Sequence, residues 1–179
     1  MKHALVIGGT GMLAQASVWL SQNGYRVSVI GRNHEKMQRL IEKNPKGIIP
    51  VPVDYRDSEK LAQQLAQIQQ KNGPIQLVLA WIHSDGPDAI PCLIDSLPRD
   101  SDWKLFHVNG SSSNLKEIKV QVSVPSHVHY YQIQLGFKLE SGTSRWLTND
   151  EISTGVIEAI RAEKAQYVVG TLSPWEKQP

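Results

Sequence analysis

Over the first hundred residues, short apolar runs alternate with stretches in which apolar side chains recur every three or four positions. That alternation is how a parallel α/β sheet reads. Residues 4–7 form an unbroken apolar run, a strand buried on both faces. Residues 12–23 follow as a helix, with Leu13, Ala16 and Leu20 on one side and Gly24 as its stop. Residues 27–30 are the second strand, and Asn33 stands where it can cap a helix carrying Met37, Leu40 and Ile41 at core spacing. Residues 47–53 are the third strand. Pro50 and Pro52 lie two apart, so their missing N–H groups point to one side, which a sheet tolerates mainly at an edge. A doubly wound sheet of order 3-2-1-4-5 puts its third strand at that edge. Residues 57–71 form a helix with Leu61, Leu65 and Ile68 inward, closed by Gly73-Pro74. Residues 75–81 are a fourth strand, apolar nearly throughout, as at a sheet centre. A helical turn over 89–97 and a fifth strand over 103–108 follow.

Beyond residue 110 the period changes. Ile118, Val120, Val122 and Val124 alternate with polar residues, and so do Tyr131, Ile133, Leu135, Phe137 and Leu139. A period of two predicts strands with one wet face in place of a crossover helix. The wet faces make these strands candidates for pairing with another copy of the chain. Thr148-x-x-Glu151 is a capping box for a last helix with Ile152, Val156, Ile157 and Ile160 inward. Residues 167–169 are a final short strand, and 173–179 read as a loose tail.

Composition narrows the function classes. A chain of 179 residues with 40% apolar and 20% charged residues can bury a full core as one domain. A formal charge of +2 with no dense basic run gives no basis for capture of nucleic acid or an anionic membrane. One cysteine, Cys92, excludes an internal disulfide framework and fits a reducing compartment. The N-terminal apolar run is too short for a signal peptide, and no stretch approaches the roughly 20 apolar residues of a membrane span. A cytoplasmic location is expected.

The first chemistry-bearing motif is Gly8-Gly9-Thr10-Gly11-Met12-Leu13-Ala14. It fits Gly-x-Gly-x-x-Ala from Gly9 and Gly-x-x-Gly-x-x-Ala from Gly8. Small residues are needed there so that a pyrophosphate can approach backbone N–H groups at a helix N-terminus. The motif follows a strand and opens an amphipathic helix, the context it requires. A tight turn without a ligand is the structural alternative. No Gly-Lys-Ser/Thr follows, which excludes a Walker loop. The second strand ends Ile30-Gly31-Arg32-Asn33. An NAD site places a carboxylate there for the ribose hydroxyls; here Gly31 holds the place and Arg32 follows. A guanidinium can clamp a 2′-phosphate with paired hydrogen bonds, so NADP is expected ahead of NAD.

With these residues, 1 to about 83 resemble the N-terminal half of the short-chain dehydrogenase/reductase family. The resemblance implies a three-layer, Rossmann-type doubly wound α/β fold with a mostly parallel sheet and, here, a shortened C-terminal half. It implies that residues 1–179 form one NAD(P)-binding domain. Asp54-Tyr55 matches the family's acidic position that contacts adenine, and Leu79-Ala80-Trp81-Ile82 falls where the family has Asn-Asn-Ala-Gly beside the cofactor. The segment 106–114 resembles the family's fifth strand and catalytic-serine region. The expected cofactor contacts are therefore Gly8, Gly9, Thr10, Gly11, Met12, Leu13, Arg32, Asn33, Asp54, Tyr55, Ala80 and Trp81. The family's Tyr-x-x-x-Lys pair is missing: the residues four beyond Tyr25, Tyr55, Tyr130, Tyr131 and Tyr167 are Val29, Glu59, Gln134, Leu135 and Thr171.

No catalytic residue is assigned in its place. His83 with Asp85 or Ser111 is a relay if they converge, against the commoner solvated loop histidine. His107 reads as a core or crevice residue, His127 and His129 as surface residues, and no metal site is expected. Trp81 sits beside the expected nicotinamide side, and Trp146 reads as an anchor for the last helix; core packing is the default for both. Cys92 reads as buried and inert. Two functions follow. One is an NADP(H)-binding, short-chain-dehydrogenase-like oxidoreductase that acts on an unidentified small molecule with groups other than the family's. The other is a non-catalytic NADP(H)-binding sensor or regulatory module.

Overall fold

The computed structural model describes residues 1–8 and 10–179. In chain order its elements are β1 (Lys2–Ile7), α1 (Ala14–Gln22), β2 (Tyr25–Ile30), α2 (His34–Lys43), β3 (Ile48–Val51), α3 (Ser58–Asn72), β4 (Leu77–Trp81), α4 (Ala89–Ser96), β5 (Trp103–Asn109), α5 (Leu115–Val122), β6 (Val128–Leu135), β7 (Phe137–Glu140), β8 (Thr143–Trp146), α6 (Asn149–Ala162) and β9 (Gln166–Val169). A 3₁₀ turn at Trp175–Lys177 ends the chain. Seven strands form one sheet of order β3-β2-β1-β4-β5-β6-β9, every neighbouring pair parallel. β7 and β8 form a separate antiparallel hairpin.

The order follows from burial. β1 and β4 lie inside the sheet, and Ala4 through Ile7 and Val78 through Ala80 are fully buried. Their alternate side chains feed two cores, one beneath α1, α2 and α6 and the other beneath α3 and α4. β3 is the edge strand, with Pro50 and Pro52 both exposed. One buried histidine stitches the central strands. His3 must donate from Nδ1 to the Gly73 carbonyl (2.8 Å), so its Nε2 accepts from the Ser28 hydroxyl (2.8 Å), and burial holds its pKa down.

The caps act where the sequence places them. Asn33 accepts from the Lys36 backbone N–H at 2.9 Å, and Asp57 from that of Lys60 at 3.1 Å. At α6 both halves of the Thr148/Glu151 box are formed, at 3.2 and 2.9 Å. Glu151 also receives Arg145 (2.7 Å) and Lys138 (3.1 Å), which holds its carboxyl well below the usual range and fastens the hairpin to the start of α6. Arg145 is thus the anchor; Trp146, expected in that role, is 49% exposed.

Residues 115–122 correct the period-two reading. They are a helix, capped by the Asn114 side chain on the Glu117 N–H at 3.2 Å. Leu115, Ile118 and Val122 are spaced three and four apart, Ile118 and Val122 lie in the alternating run as well, and Val120, which only the strand period makes apolar, is 78% exposed. β5 and β6 are parallel, so a crossover must join them, and α5 supplies it. The wet face expected for 131–139 is also wrong over β6, while in β7 Lys138 is exposed beside the buried Phe137. β6 lies between β5 and β9, and Gln132 and Gln134 are buried. The Gln132 amide donates to the Leu115 carbonyl (2.9 Å), and that of Gln134 to the carbonyls of Gly110, Ser111 and Ser113 (3.3, 3.2 and 3.0 Å). Those glutamines hold the loop above β5, so β6 is not an open edge for a second copy.

Thr148→Ala removes a cap hydrogen bond while leaving the Glu151–Arg145 pair, and should destabilise the chain by about 1 kcal/mol in urea unfolding. A midpoint unchanged from the parent would show that the box contributes nothing.

Candidate functional site

In a doubly wound sheet, a ligand crevice opens beyond the carboxyl ends of the strands where the winding reverses. Here the reversal lies between β1 and β4. Gly8 ends β1 with φ +86°, a left-handed conformation that a side chain would strain. A Cβ there would also come within 3.1 Å of Trp81 Cβ. Gly11 faces open space, with no atom of the other described residues within 4 Å of the position its Cβ would take. Gly9 lies outside the described residues. Met12 and Leu13 carry the chain into α1, with the Leu13 side chain fully buried in the core. A residue not foreseen in the sequence pins this turn. The buried Ser153 hydroxyl of α6 donates to the Met12 carbonyl (2.8 Å) and accepts from the Ala16 N–H (3.3 Å).

Two clefts flank the turn. The first, about 490 Å³, is lined by Gly8, Thr10, Gly31, Arg32, Asn33, Lys36, Val53 and Tyr55 with Trp81 and His83. Arg32 is 62% exposed, with a loose 3.4 Å contact to Asp54. Lys36, one turn into α2, brings a second cation that sequence reasoning overlooked; its signal was a position three beyond the Asn33 cap. Asp54 is not among the residues that line this cleft. It takes Arg56 Nη2 at 2.8 Å, Nε at 3.0 Å and the Arg56 N–H at 3.0 Å, and these bonds hold its carboxyl well below the usual carboxylate range. Tyr55 lies on the lining, its hydroxyl accepting from the His83 N–H (3.1 Å) and its ring packed on Gly86. Ala80 is fully buried beneath β4 and offers no side-chain surface to either cleft. An exposed, cationic pocket at a helix N-terminus beside a bare glycine turn fits a phosphorylated adenosine.

The second cleft, about 560 Å³, lies beyond β4 and β5. It is lined by His83, Ile90, His107, Asn109, Ser113 and Ile118 among others, and Trp81 again. His107 is its most chemically distinctive group. Its Nδ1 is hydrogen-bonded to the Tyr130 hydroxyl at 2.8 Å, burial lowers its pKa to about 4, and burial pushes that of Tyr130 up to about 12. The pair is neutral near pH 7. It was not legible in the sequence because it depends on strand register: His107 pairs with Gln132, which puts Tyr130 diagonally adjacent on the same face. The relay proposed around His83 is not assembled. Asp85 pairs with Arg56 (3.2 Å), and the Ser111 hydroxyl accepts from Gln178 (3.3 Å). His129 meets Asp102 at 3.1 Å, and among the described residues no group of three or more metal-binding side chains occurs. Cys92 is half-buried, and burial raises its thiol pKa.

This crevice, with its glycine turn and reversed winding, belongs to the Rossmann class of nucleotide-binding α/β proteins. Residues 2–89 match the sequence model of the short chain dehydrogenases. Over this N-terminal half the chain is similar to the short-chain dehydrogenase/reductase family, whose members bind nicotinamide dinucleotides. Two curated relatives, the short-chain dehydrogenase/reductases PhomF and PhomF′ of Diaporthe leptostromiformis, are each 32% identical over 90 residues, 49% of this chain. The chain spans about a third of their length, 31%. Among solved structures, a short-chain dehydrogenase/reductase family oxidoreductase from Aeromonas hydrophila matches with a TM-score of 0.70 at 15% identity, covering 95% of this chain and 96% of that one. A betaketoacyl-ACP reductase from Bacteroides thetaiotaomicron matches with 0.70 at 14%, covering 96% and 98%. No helix among the described residues is long and apolar enough to cross a membrane.

An unfolded histidine protonates near pH 6.5, whereas His107 in the fold stays neutral until about pH 4. The unfolded state therefore binds more protons between these values, and stability present above pH 6.5 drains away as pH falls toward 4, by roughly 3 kcal/mol from this residue. His3 acts in the same direction. His107→Gln should flatten the acid limb of a urea stability–pH profile relative to the parent; an unchanged limb would contradict the burial of a neutral imidazole.

Proposed function

We propose that this chain is an NADP(H)-binding protein of the short-chain dehydrogenase type, holding the nucleotide by its phosphorylated adenosine end and working without the family's Tyr-x-x-x-Lys chemistry. The observation that carries the reading is the cationic cleft at the start of α2. Arg32 and Lys36 line it, and Asn33 caps the helix whose N-terminus faces it. A 2′-phosphate meets two cations and a helix N-terminus there, while Gly31 stands where an NAD site carries its carboxylate. Asp54 is neutralised by Arg56 and does not oppose the anion. The turn at Gly8, Thr10 and Gly11, with the backbone at Met12, takes the diphosphate. Residues 1–179 act as one nucleotide-binding unit, in the cytoplasm, where a lone thiol stays reduced.

Without a Tyr-x-x-x-Lys pair, α5 presents Lys116 and Lys119 and no tyrosine, which favours a sensor or regulatory module that binds and responds. A second reading, an NADP-dependent oxidoreductase, is favoured by the His107–Tyr130 pair. A neutral imidazole at the cleft wall can hydrogen-bond a small-molecule carbonyl, with the phenol fixing its orientation. PhomF and PhomF′ are named short-chain dehydrogenase/reductases, which lends this reading its precedent.

Calorimetric titration separates the claims. NADPH should bind, Arg32→Glu and Lys36→Glu should each weaken it by about tenfold, and NADH should shift by less than about threefold, since a tenfold change equals 1.4 kcal/mol of charge-assisted contact. Equal affinity of parent and Arg32→Glu for NADPH would remove the phosphate clamp. Turnover of NADPH with any of a panel of aldehydes and quinones, lost in His107→Gln, would establish the oxidoreductase over the sensor.

A further inference from the structure

Trp81 ends β4 at the point where the winding reverses, between the two clefts it lines. On one side, its Cβ and Cδ1 lie 3.1 and 3.4 Å from where a Gly8 Cβ would be. On the other, its Cη2 lies 3.9 Å from the Cβ position of Gly110, just past β5. The indole therefore reaches from the end of β1 to the end of β5. It forms a wall of the adenosine-side cleft and of the β5-side cleft at once. His83 stands edge-on to it, ring centroids 5.7 Å apart at 78°, and lines both clefts as well.

A dinucleotide that binds this class of fold crosses the reversal point, one nucleotide on each side. Here that crossing passes over the end of β4, where the indole is packed between two glycines. On the Gly8 flank the approach is tighter than a Cβ would tolerate, at 3.1 Å, and on the Gly110 flank a Cβ would sit at ordinary contact distance, 3.9 Å. The adenosine side, by contrast, is open at Gly11 and exposed at Arg32.

We propose that Trp81 is a partition that restricts the nucleotide site to the phosphoadenosine half of NADP(H), leaving the β5-side cleft as a separate chamber for a small, largely apolar molecule facing His107. This rests on the nucleotide reading above and sharpens it. A ligand carrying only the adenosine phosphates gains every contact the site offers, and the nicotinamide half adds none because the indole occupies its route.

The test compares adenosine 2′,5′-bisphosphate with NADPH on the full chain by calorimetry. The parent should bind the two within about threefold of each other, a difference under 1 kcal/mol. Nicotinamide mononucleotide at saturation should leave bisphosphate affinity unchanged. Trp81→Ala should strengthen NADPH by about tenfold or more while the bisphosphate stays within about threefold. Trp81→Phe keeps the packing on Gly8 should the alanine variant fail to fold, and should give an intermediate gain for NADPH alone. NADPH binding the parent about tenfold tighter than the bisphosphate would overturn the partition and leave the nucleotide reading standing. Binding of neither compound would overturn both.

Discussion

The whole arrangement depends on a central parallel sheet being buried on both faces. A strand such as β1, with Ala4 to Ile7 fully buried, can satisfy its backbone only by pairing on both edges. Each parallel pairing demands a crossover that returns over a face of the sheet, and crossovers from β1 and β4 go to opposite faces. The crevice is the geometric remainder. At the one place where successive crossovers diverge, strand ends are left with a gap between them, and whatever stands at the ends of β1 and β4 decides what the gap admits. Gly8 and Trp81 are those residues.

The turn at Gly8 is held from both directions. From below, a positive φ and the approach of Trp81 leave no room for a side chain. From the side, Ser153 bonds the Met12 carbonyl and the Ala16 N–H, so the last helix, nearly 140 residues away, sets the pitch at which α1 begins. α6 is itself fixed by its capping box and by the Glu151–Arg145 pair. The apparently peripheral hairpin is thus linked through a chain of direct bonds to the glycine turn.

The two sides of the crevice differ in kind. The α2 side is exposed and cationic, suited to an anion that keeps part of its hydration. The β5 side is more apolar, roofed by α5 and floored by a neutral His107–Tyr130 pair joined through the imidazole Nδ1 and the phenol. A charged phosphate favours the first and a small uncharged molecule the second. The loop over the second chamber is held by amides of Gln132 and Gln134, polar groups that a buried strand can carry only because each finds backbone acceptors.

Local chemistry made the first half of the chain legible. Continuous apolar runs, Asn33 and Asp57 at caps, the Thr148/Glu151 box and the two prolines of β3 each act within a few residues of themselves, so their meaning does not wait on the fold. The glycine turn and the missing acidic residue at Gly31 were readable for the same reason. Residues 115–122 were not, because Leu115, Ile118 and Val122 satisfy a helical period while Ile118, Val120 and Val122 satisfy a strand period. Only the parallel pairing of β5 with β6 chooses between them. The His107–Tyr130 pair, the reach of Ser153 to Met12 and the span of Trp81 from Gly8 to Gly110 are likewise products of register and packing. They join residues far apart in sequence, and no pattern along the chain encodes a distance across it.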